Sequence, residues 1–138
     1  MDKYLEKAKA LRAVTERHYS CSQSVLCAFA EDFGLDEEMA YHLMGNTGGG
    51  LRMGGTCGAI IGAVTVLGLA GIDDKKVILD LYRDIKAEHE GCMDCRDLLR
   101  ISAEKGEEKK PHCDGLVLEM VERTEKLIRQ YAPGKLPE

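Results

Sequence analysis

The segment Met53–Ile72 limits what this chain can fold into more than any other part of the sequence. It contains no charged residue, and it carries Gly at 54, 55, 58, 62, 68 and 71 and Thr at 56 and 65. An uncharged run of that length must leave water, either for a bilayer or for a protein core. Its densely apolar part runs only from Ala59 to Ala70, whereas a spanning helix needs about 20 consecutive apolar residues. The run therefore predicts a buried core helix, and the protein is expected not to be an integral membrane protein. Gly58 and Gly62 lie four apart, as do Ala59 and Ala63, so one face of this helix admits a close neighbour. Such a helix belongs at the centre of a bundle, although the same small face would also pack across a homodimer.

The remaining periodicity is helical, with no convincing strand. Helices are expected over Lys3–Arg17, from Ser20 to Gly34, from Asp36 with Met39, Leu43 and Met44 inward, and from Cys57 to Leu69 behind a Thr56 cap. Further helices are expected from Asp73 or Asp74, with Val77, Ile78, Leu81, Tyr82 and Ile85 inside, over Cys95–Ile101, and over His112–Tyr131. The last carries Val117, Met120, Val121, Thr124, Leu127, Ile128 and Tyr131 on one face. Ser20-Cys21-Ser22-Gln23 has the form of a capping box. Residues 102–110 read as a charged loop. The fold class is all-α: one domain over residues 1–138, six to seven helices around a Gly/Ala-rich apolar helix, with residues 132–138 a frayed tail. Trp is absent and only 2 Phe occur, so the core must be built from Leu, Ile, Val, Met, Ala and Cys. A net charge of -5 without a Lys/Arg cluster excludes nucleic acid as partner. The first six residues lack the apolar stretch of a signal peptide, which points to the cytoplasm.

Six cysteines in a reducing compartment are metal ligands, redox groups or core residues. Their positions narrow the choice. Cys21 follows Ser20, Cys57 follows Thr56, Cys95 follows Asp94, and Cys113 follows Pro111 closely, so all four are expected in first turns of helices. Unpaired N–H groups and the positive dipole end favour thiolate there. Cys57 is the expected functional centre, because the glycine-rich stretch 45–55 can bring amides to its sulfur and these are expected to outweigh burial. Cys27, inside a helix, is expected to stay a neutral core thiol. Cys92 and Cys95 form a CxxC, which reads either as a dithiol or as half of a zinc or iron–sulfur site, with Cys92 and His112 as secondary ligand candidates. The glycine stretch lacks GxxxxGK[ST] and GxGxxG, so it reads as a tight turn and not as a nucleotide cradle.

In the order Cys21-Ser22-Gln23, Gly48-Gly49-Gly50, Cys57-Gly58-Ala59-Ile60-Ile61-Gly62, Cys95-Arg96-Asp97 and Cys113, the chain resembles a family of redox-active proteins named for a C…GCAxxG…C…C pattern. The central motif here reads CGAxxG. Cys27 and Cys92 fall outside the pattern. The resemblance implies catalytic or metal-binding roles for Cys21, Cys57, Cys95 and Cys113, through thiol/disulfide exchange or a zinc or iron–sulfur centre. It also implies a redox partner and an association with a transporter. The alternative is a non-redox binding module or transporter accessory protein, with a structural metal or buried cysteines.

Overall fold

The computed structural model describes residues 2–137. Among them lie seven α-helices and no strand: α1 (Lys3–Ala13), α2 (Cys21–Ala30), α3 (Glu37–Leu43), α4 (Gly58–Leu69), α5 (Lys75–Glu88), α6 (Cys95–Glu104) and α7 (Lys109–Tyr131). Among the described residues no helix is long and apolar enough to cross a membrane.

The helix starts follow local chemistry. The Asp2 carboxylate accepts from the N–H groups of Tyr4 and Leu5, Asp36 from Met39, and Asp74 from Lys76 and Val77. Ser20 caps α2 through a complete capping box: its hydroxyl accepts from Gln23 N–H, and Gln23 Oε1 accepts from Ser20 N–H at 2.8 Å. Each such cap satisfies donors that a helix start leaves open.

Four boundaries differ from expectation. α1 stops at Ala13, because Val14 is extended and the chain turns so that Arg17 stacks over Tyr41, 3.4 Å from the ring centroid. Thr56 does not cap α4; Cys57 itself occupies the N-cap position. Thr56 instead pairs with Asp94 in an isolated antiparallel bridge, where Cys57 N–H donates to Met93 O at 2.8 Å and Cys95 N–H to Gly55 O at 2.6 Å. α6 runs on to Glu104 and α7 begins at Lys109, which shortens the charged loop. Pro111 is tolerated in the first turn of α7 because its N–H would be an orphan there. Cys113 consequently lies in the second turn of α7 and not in the first.

Two faces also differ. α3 buries Ala40 and Met44 and leaves Met39 and Leu43 more than half exposed, since small Ala40 is the residue that lets α3 lie on α2. Tyr131 is exposed at the end of α7. α5 buries Leu81 and Ile85, with Val77, Ile78 and Tyr82 half-buried. Beyond α7, Leu136 is 4% exposed and Arg129 Nη1 donates to Pro137 O at 3.1 Å, so the stretch expected as a frayed tail is docked through 137. Residue 138 of that stretch lies outside the described residues.

α2 packs against α1, α3, α4 and α7, and α4 against α2 and α7. The α2–α4 approach depends on glycine. A Cβ at Gly62 would lie 2.8 Å from Val25 Cβ and 3.0 Å from Ser22 O. Hydrophobic burial of α2, α4 and α7 residues such as Phe29, Ile60, Leu67, Met120 and Ile128 then holds the bundle together.

Candidate functional site

The bundle geometry brings four helix starts to one place. Cys21 is the first residue of α2, Cys57 the N-cap of α4, Cys95 the first residue of α6, and Cys113 lies near the start of α7. All four line one cavity of about 160 Å³. Arg12, His18, Ser20, Gly49 and Lys109 complete much of its wall. All six thiols are free.

Why the chain folds tightly here is visible in the glycines. A Cβ at Gly48 would fall 2.7 Å from Ser20 Cβ, and one at Gly50 would fall 2.2 Å from Gly55 O. Gly50 also needs φ +64, and Leu51 and Arg52 follow it at φ 60 and 59. That left-handed run is costly for residues with side chains. Ser20, Ser22 and Thr47 cement the turn: Ser20 Oγ lies 3.1 Å from Ser22 Oγ, and the Thr47 hydroxyl donates to Ser22 Oγ at 2.7 Å. The glycine stretch is thus a tight turn against small residues.

The thiols are not equivalent. Pairing with the Cys21 thiol brings Cys113 down to about 7 despite its partial burial; Arg12 and Lys109 lower it further. Cys21 is correspondingly pushed far up, by that same pairing and then by burial. Cys57 shows the opposite balance. Burial pushes it up to about 11, although the N–H groups of Ala59 and Ile60 favour its charged form. The expectation that local amides would prevail at Cys57 is corrected: desolvation wins, and the helpful amides come from its own helix and not from the glycine turn. Cys95 is raised by burial and by the nearby Cys113.

Cys27 lies outside the cavity. It is buried, its thiol donates to Glu37 O at 3.9 Å, and burial pushes it up to about 12. Cys92 also stays outside; its thiol donates to Glu90 O at 3.7 Å. The CxxC is therefore split, with Cys95 in the cavity and Cys92 beyond it. His112 lines the thiol cavity and also a neighbouring one of about 510 Å³. Its Nε2 is buried without a partner, and burial lowers its pKa.

Four thiols are a donor set that suits zinc or an iron–sulfur cluster. Their placement does not: among the described residues no group of three or more His, Cys, Asp or Glu side chains is arranged to hold a metal ion.

Residues 19–127 match the family model described as "Putative redox-active protein (C_GCAxxG_C_C)". The chain belongs to this family. No curated protein and no solved structure matches it. In this C_GCAxxG_C_C protein the matched span contains the four cavity cysteines, but it begins after α1. Arg12 therefore lies outside the span while lining the same cavity. Nothing in the sequence marks Arg12, which is one basic residue of an amphipathic helix; only packing brings it to the thiols.

Proposed function

We propose that this protein carries out thiol/disulfide exchange, with Cys113 as the attacking thiolate and Cys21 as its resolving partner. The observation that carries the reading is one cavity that gathers the Cys21, Cys57, Cys95 and Cys113 thiols with the Arg12 guanidinium and Lys109. The lowered pKa of Cys113 gives it a larger thiolate fraction at neutral pH than an ordinary cysteine has. The Cys113 thiolate attacks one sulfur of a substrate disulfide and expels the other as a thiolate, which leaves a mixed disulfide. Cys21 gives up its proton and attacks the Cys113 sulfur. The substrate's second sulfur then departs, the substrate has gained two electrons, and Cys21 and Cys113 are joined. An external dithiol, the redox partner, restores the thiols by the reverse exchange. Cys57 and Cys95 supply a second pair of thiols in the same cavity. This cycle suits a reducing compartment such as the cytoplasm.

The test equilibrates the anaerobically purified chain with mixtures of reduced and oxidised glutathione, then traps thiols by alkylation and maps them by mass. Metal and acid-labile sulfide are assayed on the same sample. The expected result is a reversible Cys21–Cys113 disulfide. Metal or sulfide retained in stoichiometric amount through these cysteines, or no disulfide at any glutathione ratio, would overturn the reading in favour of a metal centre or a non-redox module.

A further inference from the structure

Arg12 does more than line the cavity. Its side chain is only 11% exposed. Nε donates to Asp114 Oδ1 at 2.6 Å, and Nη1 donates to Tyr19 O at 2.8 Å. Asp114 directly follows Cys113, and Tyr19 lies two residues before Cys21. One guanidinium thus ties the segment that leads into α2 and Cys21 to the helix that carries Cys113. The tie is braced from the other side: Lys110 Nζ donates to Arg12 O at 3.3 Å and to Asp114 Oδ2 at 3.1 Å. α1 otherwise packs on α2 and α7 through Tyr4, Ala8 and Leu11, and that apolar contact alone would leave the position of the two sulfurs to side-chain packing.

We propose that Arg12 is a positioning residue of the thiol site, a two-armed clamp that holds Cys113 beside Cys21, and that α1 is therefore part of the functional unit although it lies outside the family-matched span. The proposal rests on the Cys21–Cys113 reading and adds the element that sets its geometry. A planar guanidinium can reach a carboxylate with one N–H and a carbonyl with another in fixed directions, whereas an ammonium on a flexible stem carries the charge without the fork. Exchange between two sulfurs is sensitive to such placement, because displacement by about 1 Å can cost a large factor in rate. The charged groups facing Cys113 are Arg12 from α1 and Lys109 and Asp114 from α7; the titratable ones are the Cys21, Cys57 and Cys95 thiols together with His18 and His112 on the cavity wall. Arg12 and Lys109 favour the thiolate, and Asp114 opposes it.

The experiment compares the full chain with Arg12→Lys, Arg12→Gln and Asp114→Asn, each first checked for native helicity. Two quantities are read: the rate of Cys21–Cys113 disulfide formation in glutathione buffer, and the pH profile of Cys113 alkylation. Arg12→Gln should slow disulfide formation about tenfold and cut alkylation at pH 6 about three- to tenfold, because the thiolate fraction falls. Arg12→Lys should restore the alkylation profile but leave disulfide formation slow, since charge returns without the clamp. Asp114→Asn should speed alkylation at pH 6, a change of opposite sign that general loosening of the fold does not produce. If the wild-type chain forms the disulfide and Arg12→Gln forms it at the same rate, Arg12 is no positioning residue, whatever happens to the profile. If the wild-type chain forms no such disulfide, the exchange reading falls. The clamp, which is read from the rate of that disulfide, then falls with it.

Discussion

Gly62→Ala, set against Gly68→Ala in the same helix, tests how closely α2 and α4 approach. Both glycines sit inside α4, so both changes gain helix propensity, up to ~1 kcal/mol each. Their surroundings differ. A Cβ at Gly68 meets nothing within 4 Å, whereas one at Gly62 meets Val25 Cβ at 2.8 Å, Ser22 O at 3.0 Å and Val25 Cγ1 at 3.2 Å. A branched Cβ and a backbone carbonyl cannot swing aside as a long side chain can. The helices must part by several tenths of an ångström along a packed seam, and overpacking of that kind costs ~1–3 kcal/mol. The net expectation for Gly62→Ala is a loss of about 1–2 kcal/mol, and for Gly68→Ala a gain of up to ~1 kcal/mol. In a domain of this size 1 kcal/mol moves Tm by about 3–5 °C, so the two variants should melt on opposite sides of the wild type. Gly58→Ala, with its nearest contacts at 3.3–3.4 Å to Thr47 O, Gly48 Cα and Ser22 N, should fall between them. Gly62→Leu should be severely destabilised or fail to fold. The measurement is thermal unfolding followed by far-UV circular dichroism, with urea midpoints as a second probe. Equal stabilisation of Gly62→Ala and Gly68→Ala would refute the close approach, whatever the absolute values.

Alkylation at pH 6.5 should label one cysteine of the native chain quickly. That fast site should vanish in Cys113→Ser and persist in Cys27→Ser and Cys57→Ser, because burial holds the latter two sulfurs up near 12 and 11; a fast site lost in Cys57→Ser instead would reverse the assignment. Ser20→Ala removes the acceptor of the α2 capping box and should cost ~1–2 kcal/mol in urea unfolding; no change in midpoint would show that the box contributes nothing. Asp114 is raised by burial but carried below its usual value, 3.8, by hydrogen bonds from Arg12 and Lys110. Its contribution to stability is therefore present above about pH 4 and lost as pH falls through its lower folded value, so Asp114→Asn should flatten the acid limb of stability against pH, and an unchanged limb would count against the pairing.

Much of the fold was legible because helix starts are local events. Asp36, Asp74 and the Ser20–Gln23 box are read from residues within one turn of the backbone groups they satisfy. The spacing of Gly58 and Gly62 likewise announced a face on which another backbone could come near. Locality also explains the errors. Thr56 has the chemistry of a cap, but it was drawn into a bridge with Asp94, which lies far along the chain. Met39 and Leu43 have the hydrophobicity of core residues, yet Ala40 decides which side of α3 meets α2, and that depends on the partner surface.

For the site, the sequence alone singled out Cys21, Cys57, Cys95 and Cys113, through their helix-start positions and the family pattern, and it separated them from Cys27. Only tertiary structure decided which sulfur has its pKa lowered and which raised. The pKa is governed by what surrounds the sulfur: Cys57, at a helix start, is buried so deeply that desolvation outweighs two N–H groups, while Cys113, one turn further into its helix, meets the Cys21 thiol from α2 and a guanidinium from α1. Burial and charge proximity are sums over groups distant in sequence, and no spacing along the chain encodes them until the helices have packed.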